Sequence, residues 1–317
     1  MEKNVLDDSK RNIYVILNPV AGNSDPDELR QALEELSKKR GWIHKVYVTT
    51  GEENIAEVTR AACSEGANLV IAAGGDGTVA SVVNGLKDTG VPLGIIPVGT
   101  GNGLARAMRI PLEPEQAMQL LFGEHTVMAI DAMQVSDRIF VLNVSAGISS
   151  RAMRDTEPEE KQRFGMLAYA RKIIQDAVET EPSVFNITLD GLQIQVKASE
   201  VLVSNAKLLK EPPYLFGARE GFNDGEFEVN ILTASDTNEL VRLAWNLLVD
   251  PEESKKDLHD LTVRESIIID VAGEPLPVQG DGEEYGQTPV EVSMLRNAIQ
   301  IIVPTEEQLE DTGVSLL

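Results

Sequence analysis

Asn68-Leu69-Val70-Ile71-Ala72-Ala73-Gly74-Gly75-Asp76-Gly77-Thr78-Val79 decides how the first half of this chain is read. An apolar run of strand length gives way to glycines around one aspartate, and a helical pattern follows. The glycines therefore stand at the carboxyl end of a strand, which is where open α/β sheets bind phosphates. Glycine has no Cβ, so its backbone approaches an anion closely and points N–H groups at it. The start of the next helix adds positive potential. Asp76 is the odd member. An acid beside phosphate is repelled unless a divalent cation or a reacting hydroxyl lies between them, which makes Asp76 a candidate for phosphoryl transfer chemistry. The competing reading of Gly-Gly-Asp-Gly alone is a tight turn.

Two more segments share this character. Ile96-Pro97-Val98-Gly99-Thr100-Gly101-Asn102-Gly103-Leu104-Ala105-Arg106 again runs from strand end into helix start, and Leu17-Asn18-Pro19-Val20-Ala21-Gly22 leaves the first strand. Three such loops are expected to line one cleft. A dinucleotide fingerprint is the obvious competitor, but Gly99, Gly101 and Gly103 follow G-x-G-x-G after the fourth strand instead of G-x-G-x-x-G after the first. No G-x-x-x-x-G-K-[ST] occurs, so a P-loop kinase is excluded.

Around these loops the pattern is α/β up to about residue 132, with strands expected at 13–17, 45–48, 68–72 and 93–98 alternating with helices. One helix is expected to end at Gly41. Thr50 and Glu53 read as a capping box for another that closes near Gly66. Beyond residue 132 strand alternation takes over. Phe185, Ile187 and Leu189, then Asp190-Gly191, then Leu192, Ile194 and Val196 give a two-residue hairpin. Further strands are expected at 139–144, 200–204, 226–232 and 266–271, with helices at 164–178 and 235–249. The division expected is a nucleotide-binding α/β domain at 1–132 and a β-rich, antiparallel sandwich-like domain at 133–296. At 297–317 a last strand that could return to the first domain is followed by an acidic tail.

Composition narrows the partners. The 317 residues carry 28 basic and 51 acidic side chains, a formal net charge of −23, which argues against nucleic acid and against simple electrostatic adhesion to anionic lipid. The single Cys63 rules out an intrachain disulfide and a cysteine metal cluster. With no long apolar run and a polar start, the chain reads as cytoplasmic.

Asn18-Pro19-x-x-Gly22, Gly74-Gly75-Asp76-Gly77-Thr78 and Pro97-x-Gly99-Thr100-x-Asn102, in that order, resemble the diacylglycerol kinase catalytic family, which includes sphingosine kinases and bacterial lipid kinases. Later landmarks match too: Ile130-Asp131, Phe140-x-x-Asn143-x-x-x-Gly147, Phe164-Gly165-x-x-Ala168-Tyr169, Asp224-Gly225-x-Phe227 and Asp281-Gly282-Glu283. The resemblance implies an ATP- and Mg²⁺-dependent lipid kinase whose β-rich domain carries the lipid-binding surface. It implies ATP contacts from Asn18, Pro19, Gly22, Thr50, Gly74, Gly75, Asp76, Gly77, Thr78, Thr100 and Asn102. Asp76 and Asp131 would hold the catalytic Mg²⁺, largely through water. Glu283 would take the proton from the acceptor hydroxyl, with Asp281 beside it. Asp224 and the carbonyl of Glu226 match a structural metal site, although the family's upstream acid falls near Gly221. Alone, Asp281-Gly282 reads as a turn dipeptide.

The implied partner is a lipid, met by transient contact at the inner face of the membrane; oligomeric state, with a homodimer among the options, stays open. Ala80, Ser81 and Gly103 replace polar residues common in the family, and Asn23 stands where a basic residue often lies. Lys161 and Arg163 remain as basic candidates near the transferred phosphate, with solvated surface charge as the competing reading. Two alternatives therefore stand beside the lipid kinase. One is a kinase of a soluble substrate such as NAD, and the other is an inactive nucleotide or lipid sensor.

Overall fold

The computed structural model describes residues 11–22, 25–148, 150, 182–205, 219, 221–233 and 258–311. Asn23, Lys161, Arg163, the Phe164-Gly165-x-x-Ala168-Tyr169 landmark and the helices expected at 164–178 and 235–249 lie outside the described residues. The chain divides into two units, Met1–Ile130 with Asn297–Leu317, and Asp131–Arg296.

In the first unit the order is β1 (Asn12–Leu17), α1 (Pro26–Arg40), β2 (Ile43–Val48), α2 (Ile55–Ser64), β3 (Leu69–Gly74), α3 (Asp76–Leu86), β4 (Leu93–Pro97), α4 (Gly103–Ala107) and α5 (Pro114–Phe122). The strands pair in parallel in the order β2-β1-β3-β4. β3 and β4 are buried along their full length, as continuous apolar runs in a parallel sheet require. α1 starts where the Asp25 side chain accepts from the N–H groups of Asp27 and Glu28, with Pro26 at the first turn. It stops at Gly41, whose φ of 69° is left-handed. α2 corrects one expectation. Glu53 does accept from the N–H and hydroxyl of Thr50, at 2.8 and 2.7 Å, but the helix cap is Asn54, whose side chain accepts from the N–H of Glu57. The Thr50–Glu53 pair ties the loop ahead of the cap instead of forming it.

β5 (Thr126–Val135) runs on into the second unit. There β6 (Arg138–Phe140), β7 (Asn143–Gly147), β8 (Ser183–Leu189), β9 (Leu192–Ala198), β10 (Glu200–Ser204), β11 (Phe227–Leu232), β12 (Leu258–Val263), β13 (Ser266–Val271), β14 (Pro277–Gly280), β15 (Glu283–Gln287) and β16 (Val290–Val303) follow. One antiparallel sheet has the order β12-β11-β10-β7-β14-β15. In the other layer β13 pairs antiparallel with β8 and with the start of β16, and β8 pairs with β9. Phe140, Phe185, Val203, Phe227, Ile267 and Val292 come from both layers into one core, so the unit is the sandwich-like β domain expected from the alternation. At the far end of β16, Ile301 pairs in parallel with Leu93 of β4 in the first unit, and α6 (Glu306–Asp311) ends the described chain.

The strand expected at 139–144 is two strands, β6 and β7. The N–H groups of Val141, Leu142 and Asn143 donate to the carboxylate of Asp281 at 2.8 to 3.0 Å instead of to a sheet ladder, so the chain bends there. The Asp190-Gly191 hairpin forms as read, with positive φ at both residues (45° and 86°), the geometry of a type I′ turn.

Gly85 in α3 gives a test of the helix packing. A Cβ there would lie 2.4 Å from Thr59 Cβ and 2.6 Å from the Ala56 carbonyl oxygen of α2. Alanine gains about 1 kcal/mol of helix propensity over glycine, whereas overpacking costs about 1–3 kcal/mol. Gly85→Ala is therefore expected to lower the melting temperature; a rise would mean that α2 yields without cost.

Candidate active site

Three loops leave the carboxyl ends of neighbouring parallel strands β1, β3 and β4, and their own backbones determine how they meet. Asn18 donates through its N–H to the Ala73 carbonyl at 2.9 Å and through Nδ2 to Thr78 Oγ1 at 3.1 Å, joining the first loop to the second. Gly22 (φ 64°) lies so close to the third loop that a Cβ would fall 1.7 Å from the Val98 carbonyl oxygen. A Cβ on Gly74 would meet Thr78 at 2.5 Å, and one on Gly99 would lie 2.6 Å from the Cα of Gly75. Gly22 and Gly99 are fixed by the approach of loop to loop, and Gly74 by the turn of its own loop back onto Thr78. Pro19 is half-buried beside them, while Gly77 and Thr100 are exposed.

Asp76 closes the arrangement. Its Oδ2 accepts from the N–H of Asn102 at 2.9 Å and its Oδ1 from the N–H of Gly103 at 2.6 Å, across the two loops. Asn102 itself sits at φ 53°, ψ 45° with its side chain bonded to Gly99, Oδ1 accepting from the N–H at 3.0 Å and Nδ2 donating to the carbonyl at 2.7 Å. Arg106 Nε donates to the Gly101 carbonyl at 2.8 Å. The α3 start has Gly75 as cap and no side chain bonded to its amides, which leaves that end suited to a phosphate. Ala80 is buried in α3 and Ser81 donates to the Gly77 carbonyl at 2.9 Å, so both family departures there serve the helix. Thr50 lies beyond β2, and Glu53 occupies its hydroxyl and N–H; the Thr50 hydroxyl first, then backbone amides, hold the half-buried Glu53's carboxyl down at about 2.

The acids of the second unit fall into three settings. Asp281 and Gly282 form the two-residue turn of the β14–β15 hairpin, with φ of 49° and 83°. The carboxylate of Asp281 is consumed by the three amides of 141–143, and the turn places Glu283 at the first position of β15. Burial pushes the Asp281 carboxyl up to about 6 against the pull of those amides, and the charge of Glu283 adds to the rise. Its value stands above the aspartate reference of about 3.9. The stability it contributes is therefore full at lower pH and is lost as pH rises through 6. Glu283 is partly exposed and its Oε2 pairs with Arg138 Nη2 at 2.8 Å.

Asp131 is 2% exposed. Its Oδ2 accepts from the N–H of Gly225 at 2.9 Å, its own N–H donates to the Phe222 carbonyl at 2.6 Å, and its carbonyl accepts from Asn205 Nδ2 at 2.6 Å. That burial suits a residue that fastens the segment 222–225 better than one that presents oxygen to a hydrated ion. Asp224 Oδ1 accepts from the N–H of Glu226 at 3.0 Å, and the Glu226 carboxylate pairs with Arg264, 2.7 Å from its Nε. A Cβ on Gly225 would lie 1.5 Å from Arg296 Nη1. Two guanidinium groups therefore border this turn, and the Glu226 carboxylate is taken by one of them, which leaves its carbonyl as the oxygen that pairs with Asp224 in the expected structural metal site. Asp76 does fit Mg²⁺: it is half-buried, and each hard carboxylate oxygen keeps a lone pair beyond the amide it accepts from.

The Asp76 amide contacts and the Arg138–Glu283 pair were not read from the sequence. Asn102-Gly103, a dipeptide that favours left-handed backbone, was the available signal for the first. No spacing links Arg138 to a residue 145 positions later.

Comparison with known proteins adds independent findings. Residues 12–135 match the family model of the diacylglycerol kinase catalytic domain, and residues 142–303 match that of the YegS C-terminal NAD kinase beta sandwich-like domain. The chain is 30% identical to the diacylglycerol kinase of Bacillus subtilis, over 94% of this chain and 98% of that one. It is 27% identical to a Staphylococcus aureus diacylglycerol kinase over 94% of each. A crystal structure of a diacylglycerol kinase from Bacillus anthracis shares the fold, with a TM-score of 0.75 at 21% identity, covering 94% of this chain and 98% of that one.

Asp76→Asn tests both roles of this carboxylate. The amide loses the charge and turns an NH₂ group toward one of the two loop amides. An orphaned partner costs about 1–3 kcal/mol of stability, and loss of an electrostatic catalytic contact costs about 10²-fold or more in turnover. The variant is expected to melt earlier and lose phosphate transfer, while circular dichroism at room temperature stays native. Near-normal turnover would remove Asp76 from the chemistry.

Proposed function

Because the chain belongs to the diacylglycerol kinase catalytic family, and is therefore a lipid kinase, we propose that it transfers the γ-phosphoryl group of ATP, with Mg²⁺, to the hydroxyl of diacylglycerol or a related lipid. The observation that carries this reading is the carboxylate of Asp76 held among glycine-rich loops at strand ends. The loops of Asn18 to Gly22, Gly74 to Thr78 and Gly99 to Asn102 hold the phosphates through backbone amides and the α3 start. Mg²⁺, when bound, neutralises charge on the phosphate oxygens, and Asp76 is the residue that would hold it.

In this reading the acceptor oxygen bonds to the γ-phosphorus as the bond from that phosphorus to the β,γ-bridging oxygen breaks. ADP takes that electron pair, and the hydroxyl proton passes to Glu283. Asp281 acts as a positioning residue, since its carboxylate is bound to backbone and its turn sets where Glu283 begins β15. Catalysis rests on alignment and charge neutralisation, because phosphoryl transfer asks for little covalent help from protein.

A lipid acceptor has to be met at a membrane surface, and no helix among the described residues is long and apolar enough to cross one. With a net charge of −23 the encounter is expected to be weak and driven by apolar contact. Leu192 and Ile268 are the exposed large apolar side chains among the described residues of the second unit.

Purified protein incubated with γ-labelled ATP, Mg²⁺ and a mixed lipid extract is expected to place label in the organic phase, while a parallel reaction with NAD stays unlabelled. Label in NAD would favour the soluble-substrate kinase, and no label in either would favour a sensor. Co-sedimentation with vesicles tests the surface encounter. A myristoyl-scale contact gives K of about 10⁴ M⁻¹, and added salt or Mg²⁺ should strengthen association with anionic vesicles by screening repulsion. Tight binding that salt abolishes would point to a basic patch and discard this account of the interface.

A further inference from the structure

Arg138, the first residue of β6, is built into a stack that ends on Glu283. A Cβ on Gly280 would lie 2.4 Å from the Phe140 ring, so the glycine lets that buried ring lie flat against β14. Phe140 meets Tyr285 edge-on, with centroids 5.3 Å apart and an interplanar angle of 70°. The Tyr285 hydroxyl is 3.2 Å from the Val135 carbonyl and 3.1 Å from Asp137 Oδ1, which fixes the phenol over the β5–β6 turn. The Arg138 guanidinium lies 5.4 Å from the centroids of both rings, and from there its Nη2 donates to Glu283 Oε2 at 2.8 Å.

A surface Arg–Glu pair usually contributes little, because two long side chains must be ordered for one screened contact. Here the ordering of the arginine is already supplied by two aromatic faces, one of them anchored by its own hydroxyl. A guanidinium held in this way binds one oxygen of the carboxylate and leaves Oε1 for another partner.

We propose that Arg138 is a positioning residue for phosphoryl transfer: it holds Glu283 through Oε2 so that Oε1 receives the proton of the acceptor hydroxyl. This rests on the reading of Glu283 as the proton acceptor. Tyr285 and Phe140 support the arginine and do not act on substrate. The proposal distinguishes a residue that acts through Glu283 from one that only stabilises the hairpin, because the first loses its effect once Glu283 can no longer take a proton.

A double-mutant cycle with Arg138→Met and Glu283→Gln reads that difference. Methionine retains an apolar side chain against the rings and removes the charge. R138M is expected to lower kcat about 10- to 100-fold, the scale of a misplaced reacting group, with KM for ATP unchanged. R138K, which keeps the charge without the planar fork, should lie between R138M and wild type. The double variant should be no slower than E283Q alone. Melting temperatures are measured alongside, and R138K carries the comparison if R138M melts early. Wild-type kcat in R138M and R138K would overturn the proposal, as would a double variant slower than E283Q by the full factor that R138M costs the wild type. Normal turnover in E283Q itself would instead remove the base assignment, and the role of Arg138 with it.

Discussion

The carboxylate of Asp76 accepts from the amides of Asn102 and Gly103, and the form of both glycine loops follows from that pair of bonds. α4 is only five residues long, and its first amides need a partner from outside the helix. Asn102 cannot cap it, because its side chain is turned back onto Gly99. Asp76, at the first position of α3, supplies what α4 lacks. The approach this demands leaves no room for side chains: a Cβ on Gly101 would lie 2.4 Å from Asp76 Oδ2, and one on Gly99 would meet Gly75. Glycines that look placed for a phosphate are thus required, first, by the contact between the two loops.

The second unit uses one device twice with opposite electrostatic results. Asp190-Gly191 and Asp281-Gly282 are both hairpin turns, and each aspartate accepts from three consecutive amides of a remote segment, 264–266 and 141–143 respectively. At Asp190, burial raises the carboxyl but the three amides and Arg264 more than offset it, so it stands below its ordinary range. At Asp281 burial wins, helped by the nearby charge of Glu283, and the carboxyl rises to about 6. The turn is the same in both places, and depth together with a neighbouring acid makes the difference.

Much of this was legible in the residues. β3 is an unbroken apolar run ending in glycine, α1 is bracketed by Asp25 and Gly41, and the Asp190-Gly191 hairpin has a dipeptide that its turn geometry favours. The antiparallel alternation of 185–196 gave the second unit its class, and the ordered motifs gave the family. What periodicity does not report is which amide meets which distant carboxylate. The strand expected at 139–144 breaks because Asp281, some 140 residues later, takes its amides. Thr50 and Glu53 do bond each other, yet Asn54 starts the helix, since the residue nearest the first turn has the better reach. No pattern in the residues marks Arg138, which meets Glu283 only in space.

Residue-resolved amide hydrogen exchange at Asn102 and Gly103, compared between the wild-type protein and Asp76→Ala, tests the central claim most directly. If one carboxylate holds the two loops together, both amides exchange much faster in the variant while the amides of β3 and β4 keep their protection. Equal protection of Asn102 and Gly103 in the two proteins would contradict the account, because the loops would then hold their form without Asp76.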